Sequence, residues 1–221
     1  LELREGEVVG IFGLVGAGRT ELLKLLFGAR RATGGVVLFE GRPLRLADPR
    51  DAIRAGIVLC PEDRRAEGII PVRPVMENLN LAAHKRLAPV GVISPTRERL
   101  HAAALVEQLD VKTPSLRQLL MHLSGGNQQK VVFGRWLATE PKVLLLDEPT
   151  RGIDVGARSE LYGIIQRLAS KGVAVLMASS DLPEVLGLSD RVLVMNEGRL
   201  AGELARAEAT PAVVMKLALP A

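Results

Sequence analysis

Three short stretches of the chain combine residue types and spacings suited to chemistry on a polyphosphate. The first is Gly13-Leu-Val-Gly16-Ala17-Gly18-Arg19-Thr20, set between an apolar run and a helical pattern. Glycines let the backbone wrap phosphates closely, and the amides at the following helix start supply donors and positive dipole. The Thr20 hydroxyl suits Mg²⁺. Arg19 stands where such loops usually carry lysine. Lysine is a compact ammonium and arginine a wider planar fork, so binding is expected to survive and catalysis to suffer. The competing reading is a glycine turn made for tight packing.

The second stretch is Val143-Leu-Leu-Leu-Asp147-Glu148-Pro-Thr150. Four apolar residues form an interior strand, and two carboxylates emerge at its carboxyl end, where ligands sit in open α/β sheets. Asp147 is placed to hold Mg²⁺ through water, and Glu148 to polarise an attacking water. One acid at a strand end is commonplace; it says more downstream of a phosphate loop. The third stretch is Leu123-Ser124-Gly125-Gly126-Asn127-Gln128-Gln129. Ser124 is read as a helix cap, with two glycines leaving the first amides bare to an anion. Alone, Ser-Gly-Gly reads as an ordinary serine-capped helix. One active site does not need two complete phosphate cradles from one chain, so this tip is expected to serve a neighbour's nucleotide.

The elements that position these stretches alternate apolar runs with helical patterns, which argues for α/β with a mostly parallel sheet. Strands are expected at Val8–Leu14, Gly35–Gly41, Ile57–Cys60, Val143–Leu146, Val173–Ala178 and Arg191–Met195, the last being the final strand. The Gly35–Gly41 strand is assigned to a small antiparallel piece. Helices are expected at Thr20–Phe27, Asp48–Ala55, Gln128–Ala138, Gly156–Ser170 and Leu182–Leu188. Val75–Leu87 and Thr96–Leu109 are helical patterns with no strand between them, which suggests a helical subdomain inserted into the core. The division is a core of about residues 1–73 and 140–221 and a helical subdomain of about 74–139.

The chain has 221 residues, 48% hydrophobic and 24% charged, enough for one full core with a small subdomain. Its net charge of +4 comes without a dense Lys/Arg run, so charge alone selects no partner. The single cysteine, Cys60, ends an apolar run and fits a buried small side chain in a reducing compartment. No apolar stretch is long enough to span a bilayer, and no signal peptide is read. Leu1 to Glu7 reads as a strand and turn already under way, so the chain is expected to be part of something longer.

Together and in this order, the three stretches resemble the ATP-binding subunits of ABC transporters along nearly the whole chain. Gly13 to Thr20 is similar to their Walker A motif, Val143 to Glu148 to Walker B, and Leu123 to Gln128 to the signature motif. Asp154, in Arg151-Gly-Ile-Asp154, matches the D-loop that crosses the dimer interface. The resemblance implies a P-loop NTPase, RecA-like core with a small antiparallel β subdomain and an inserted helical signature subdomain. It implies ATP and Mg²⁺, with Thr20 and Asp147 on the metal and Glu148 and Ser180 at the catalytic position. Nucleotide contacts are implied at Gly13, Gly16, Ala17, Gly18, Arg19, Thr20, Glu62, Ser124, Gly125, Gly126, Gln128 and Asp154. Gly-Ala-Gly-Arg-Thr, Pro61-Glu-Asp-Arg-Arg65, Leu-Ser-Gly-Gly-Asn-Gln-Gln-Lys130 and Pro149-Thr-Arg-Gly-Ile-Asp-Val-Gly156 narrow the match. They resemble the C-terminal ATPase domain of a bacterial monosaccharide importer, in which two such domains are fused. That likeness implies an N-terminal ATPase domain as head-to-tail partner, transmembrane permease subunits, and indirectly a periplasmic sugar-binding protein. It places the chain at the cytoplasmic face of the bacterial inner membrane, with no nucleic-acid partner.

Three positions depart from the wider family. Arg19 replaces lysine, Glu62 stands where the lid loop has glutamine, and Ser180 stands where a histidine follows the strand after Walker B. Serine cannot share a proton near neutral pH as imidazole does. The expectation is slow or absent hydrolysis at this chain's own Walker A, and an intact signature motif completing a competent site on the N-terminal domain. A rival class is the DNA-clamping ABC ATPases, which require long heptad arms; the stretch from Thr20 to Leu123 is too short and has no sustained heptads. A purely structural half, binding nucleotide without chemistry, is the third reading.

Overall fold

The computed structural model describes residues 1–88 and 91–219. The chain divides into two compact units. One comprises Leu1–Glu62, Pro141–Pro149 and Ile165–Ala221; the other comprises Asp63–Glu140 and Thr150–Ile164.

The first unit is built on a six-stranded sheet. Its strands are β1 (Val8–Phe12), β4 (Ile57–Cys60), β5 (Val143–Asp147), β6 (Ala174–Ala178), β7 (Arg191–Asn196) and β8 (Arg199–Ala205). The spatial order is β4-β5-β6-β1-β7-β8, parallel throughout except that β8 pairs antiparallel with β7. Every residue of β1, β4 and β6 is buried. This is why these strands read as continuous apolar runs: both faces of a parallel sheet are covered. Helix α1 (Arg19–Leu26) and helix α2 (Pro49–Ala55) contribute Leu23 and Ala52 to a core with Val9, Ile11, Leu59 and Leu145. Each fully buried aliphatic side chain of this size contributes about 1.5–3 kcal/mol. Asp48 caps α2 in a capping box with Asp51, and Gly56 ends it at a left-handed φ of 87°.

Strands β2 (Val37–Phe39) and β3 (Arg42–Leu44) form a separate antiparallel hairpin. Its turn is Glu40-Gly41, with φ of 49° and 74°; the β7–β8 turn is Glu197-Gly198, with φ of 49° and 78°. Two consecutive left-handed residues suit the right-handed twist of a hairpin. The expected final strand at Arg191–Met195 is therefore not the last. β8 follows it, and its sequence signal is hidden because no residue of β8 is fully buried. Helix α8 (Leu182–Leu188) begins at its Asp181 cap, and α9 (Pro211–Ala218), which the sequence reading left out, begins at Thr210. At the base of the sheet Arg191 grips Glu7 with two nitrogens, at 2.6 and 3.0 Å. The guanidinium beside Glu7 holds its carboxyl below the usual glutamate range.

The second unit is helical: α3 (Val75–Asn80), α4 (His84–Leu87), α5 (Pro95–Gln108) and α6 (Gly125–Leu137). The single helical pattern expected over Val75–Leu87 is broken by a tighter 3₁₀ turn at Leu81–Ala83. Nearby, buried Asn78 and Asn80 spend their side-chain amides on other segments, Asn78 on Ile70, Arg73 and Pro74 and Asn80 on Glu98. Arg135 of α6 is buried and donates to the carbonyls of Gly68 and Asn78 and to the Asn78 side chain. Lys130, also buried, meets Glu160 at 2.7 Å and the Asp110 carbonyl at 2.6 Å. Both cations are thus compensated, as burial requires. Glu160 lies in α7 (Val155–Ala169), whose Leu161, Ile164, Ile165 and Leu168 are buried along one face, as their spacing predicts. No helix among the described residues is long and apolar enough to cross a membrane.

Candidate functional site

The carboxyl edge of the parallel sheet collects the expected residues of the first unit. Cys60 of β4 lies opposite Leu146, and Asp147 at the end of β5 lies opposite Ala178 at the end of β6. Glu62, Asp147, Glu148 and Ser180 therefore leave the sheet at the same edge as the loop that follows β1.

That loop is tightly specified. A Cβ on Gly13 would stand 2.6 Å from the Met195 carbonyl oxygen and 2.7 Å from the Ala17 Cβ, so only glycine fits. Gly16 and Gly18 have φ of 85° and 92°. The Ala17 amide closes the turn onto Leu14, and the Ala17 carbonyl accepts from Gly198. Leu14, Val15 and Gly16 form an exposed crest, and α1 starts from Gly18 with no side-chain cap. Its first amides therefore remain available to an anion.

Thr20 donates its hydroxyl to Asp147 Oδ1 at 3.1 Å. Asp147 is buried, which pushes its carboxyl up to about 6; the charge of Glu148 adds to this, while Thr20, Arg19 and Lys24 oppose it. A carboxylate so desolvated gains from a cation, and a hydroxyl beside it can share that cation. The Thr20–Asp147 pair fits Mg²⁺ on those grounds.

Glu148 has a left-handed backbone, φ 46°, rare for a residue with a side chain and costing about 1–3 kcal/mol where surroundings impose it. Its amide donates to the Ala178 carbonyl at 2.8 Å. Its carboxylate is engaged on both oxygens. Oε1 accepts from the Ser180 amide at 2.8 Å and lies 2.9 Å from Arg19 Nη1; Oε2 accepts from the Ser180 hydroxyl at 3.1 Å. The Arg19 contact is a close charge pair with no aligned hydrogen bond to that nitrogen. Both side chains are only 11% exposed. Arg19, expected at the phosphates, thus has its guanidinium on Glu148. Glu62 is half-buried, two residues past β4.

The remaining expected residues belong to the second unit. Ser124 occupies the N-cap position of α6, but its side chain caps nothing; its oxygen accepts from Asn127 Nδ2 at 2.9 Å. The expected serine cap is corrected, and the helix begins at Gly125, three residues before the expected Gln128. The glycines also have a steric reason that the sequence did not reveal. A Cβ on Gly125 would lie 2.7 Å from Arg64 Nη2, and one on Gly126 would lie 2.5 Å from the Ala157 Cβ. Gln128 faces inward, 3% exposed, donating to the carbonyls of Leu120 and Leu123. It supports the tip from behind. Exposed Asp154 accepts from the Ala157 amide at 3.0 Å and so caps α7. Sequence reasoning missed this cap and Arg64, although an aspartate three residues before a helical amide is a recognisable signal.

Comparisons with known proteins show the family and the fold. The family model described as ABC transporter matches residues 1–151. An arabinose import ATP-binding protein of Pectobacterium atrosepticum is 57% identical over 220 residues, 99% of this chain and 43% of that protein. Proteins of the same name from Pseudomonas savastanoi and Yersinia pestis are 56% and 54% identical. The chain spans less than half the length of these curated relatives, 42–43%. Among solved structures, a nucleotide-free ATP-binding cassette from an ABC transporter superposes with a TM-score of 0.81 at 24% identity, covering 100% of this chain and 91% of that one. A dimeric cassette in a post-hydrolysis state bound to ADP and Pi superposes with a TM-score of 0.79 at 23% identity, covering 93% and 88%. These two likenesses establish the fold. With the phosphate loop, the acid pair and the family match in hand, the chain belongs to the ABC transporter family, as one of its ATP-binding cassettes.

Proposed function

We propose that this chain is the second ATPase half of a sugar importer's ATP-binding protein, acting on ATP unequally at two sites. The arabinose importers among its relatives support an arabinose-type pentose as the cargo. Their greater length supports a second cassette in the same polypeptide, paired head to tail with this one. In this reading the pair works on transmembrane permease subunits at the cytoplasmic face of the inner membrane, fed by a periplasmic sugar-binding protein.

The observation that carries the unequal-site reading is the carboxylate of Glu148, held by Arg19 and by both donors of Ser180. A general base must have an oxygen open to the water it polarises. Here Ser180 stands in place of the imidazole, and the Arg19 guanidinium lies against the same carboxylate. The phosphate loop binds ATP through its crest and the α1 amides, while Thr20 and Asp147 hold Mg²⁺, which neutralises the terminal phosphates. Glu148 activates water poorly, so this site turns over slowly. The Ser124 tip, exposed and uncapped, presents the α6 amides to the nucleotide of the N-terminal domain and completes the faster site.

Single-turnover hydrolysis by the full-length protein tests this. Glu148→Gln leaves the fast phase intact, and Ser124→Arg removes it. A fast phase that survives Ser124→Arg refutes the donated tip; one that disappears with Glu148→Gln refutes the slow near site.

A further inference from the structure

The Pro61–Arg65 segment contains a residue that the proposed function leaves unused. We propose that Arg64 is a positioning residue for the Ser124 tip, its guanidinium bracing Gly125 against the Arg151-Gly152 turn. The inference rests on the donated-tip reading.

Four observations converge. Asp63 Oδ1 accepts from the amides of Arg65 and Ala66, both at 3.0 Å, and so starts the short π-helical turn Arg64–Gly68 that projects Arg64. Arg64 Nη1 donates to the Arg151 carbonyl at 2.9 Å, and Nη2 lies 3.5 Å from the Gly152 carbonyl. Beside the Arg151 carbonyl, two glycines, Gly125 and Gly152, approach the guanidinium closely. A Cβ on Gly125 would meet Nη2 at 2.7 Å and the Gly152 oxygen at 3.2 Å, and Gly152 has φ 67°. Finally, Nε is buried with no hydrogen-bond partner among the described residues.

The arrangement is electrostatically costly. A half-buried cation beside the start of α6 faces the positive end of that helix; desolvation and the neighbouring Arg65 charge lower its proton affinity, and the Asp63 charge opposes them. Two backbone carbonyls offset only part of that cost. A planar fork can reach two carbonyls of adjacent residues while lying flat against a glycine; an ammonium at the end of a flexible stem cannot hold that geometry. The brace joins the segment that follows Glu62, the signature tip, and the turn leading to Asp154. An anion arriving at the tip adds a favourable charge to those of Asp63 and the two carbonyls, so the brace is most stable when a nucleotide is docked there. Arg64 acts on that nucleotide through the tip that it holds.

Steady-state ATP turnover by the full-length protein tests this, with KM, thermal midpoint and nucleotide affinity measured alongside. Arg64→Lys and Arg64→Ala are expected to lower kcat by about tenfold to a hundredfold, the scale of an ångström-level misplacement, with KM and the midpoint of Arg64→Lys nearly unchanged. If Arg64→Lys loses thermal stability in step with activity, the role is merely structural and the inference fails. It also fails if both variants turn over normally while Ser124→Arg abolishes turnover. If Ser124→Arg itself leaves turnover intact, the donated-tip reading falls, and this inference with it.

Discussion

Replacing Arg19 by lysine should speed hydrolysis at this chain's own site. The pair that Arg19 makes with Glu148 is 2.9 Å long, with both side chains 11% exposed. At an effective dielectric of ~20 the bare attraction is about 6 kcal/mol, most of which is offset by desolvation of both ions. With no hydrogen bond aligned on that nitrogen, the net contribution is about 0.5–1.5 kcal/mol. Freeing the carboxylate for water would have to overcome that amount, so the pair would slow the chemical step by about 2-fold to 13-fold. A lysine ammonium is a single point of charge that the phosphates draw away from Glu148. The assay is single-turnover ATP hydrolysis in full-length protein carrying Ser124→Arg, which on the proposed reading silences the other site. Arg19→Lys should raise the residual rate within that range, and adding Glu148→Gln should cancel the gain. An unchanged rate, or a gain that persists without the carboxylate, refutes the reasoning.

Gly126→Ala should destabilise the fold more than Gly125→Ala. Its new methyl meets the rigid Ala157 Cβ at 2.5 Å, whereas the other meets the end of a flexible arginine; overpacking of this kind costs about 1–3 kcal/mol by denaturant titration. Glu7→Gln should lose about 1–2 kcal/mol at neutral pH, since Arg191 stabilises the charged carboxylate and Glu7 is largely buried. Because the folded value is depressed, that contribution is complete above the ordinary glutamate value and fades as pH falls through the folded one. Wild type and variant should therefore converge in acid, and a gap that widens there refutes the assignment. Glu197→Asn should raise the thermal midpoint by about 1–3 °C, because Asn-Gly suits two left-handed turn residues better than Glu-Gly.

The sequence revealed those elements whose side chains face the core on both sides. β1, β4 and β6 carry no charged residue because they lie inside a covered parallel sheet, and the loop after β1 needs glycine at Gly13 for steric reasons as well as at Gly16 and Gly18 for conformation. β8 and β3 were invisible because an exposed edge strand requires no apolar periodicity, and their Glu-Gly turns lack the usual asparagine. The structure brings Thr20, Asp147, Glu148 and Ser180 to one edge of the sheet, but their mutual contacts carry no local sequence signal. Arg19, expected among the nucleotide contacts, lies against the Glu148 carboxylate. Ser124 reads as a cap from its type and position, yet Asn127 three residues on takes its oxygen. Long-range partners such as Arg64 and Gly125, 61 positions apart, leave no mark in local spacing.

The buried guanidinium of Arg135 has a dynamic consequence. By gripping the Gly68 carbonyl and both ends of Asn78, it makes α6 and the stretch before α3 a single cooperative unit of opening. Backbone amides on the two segments should exchange their hydrogens with a common opening free energy.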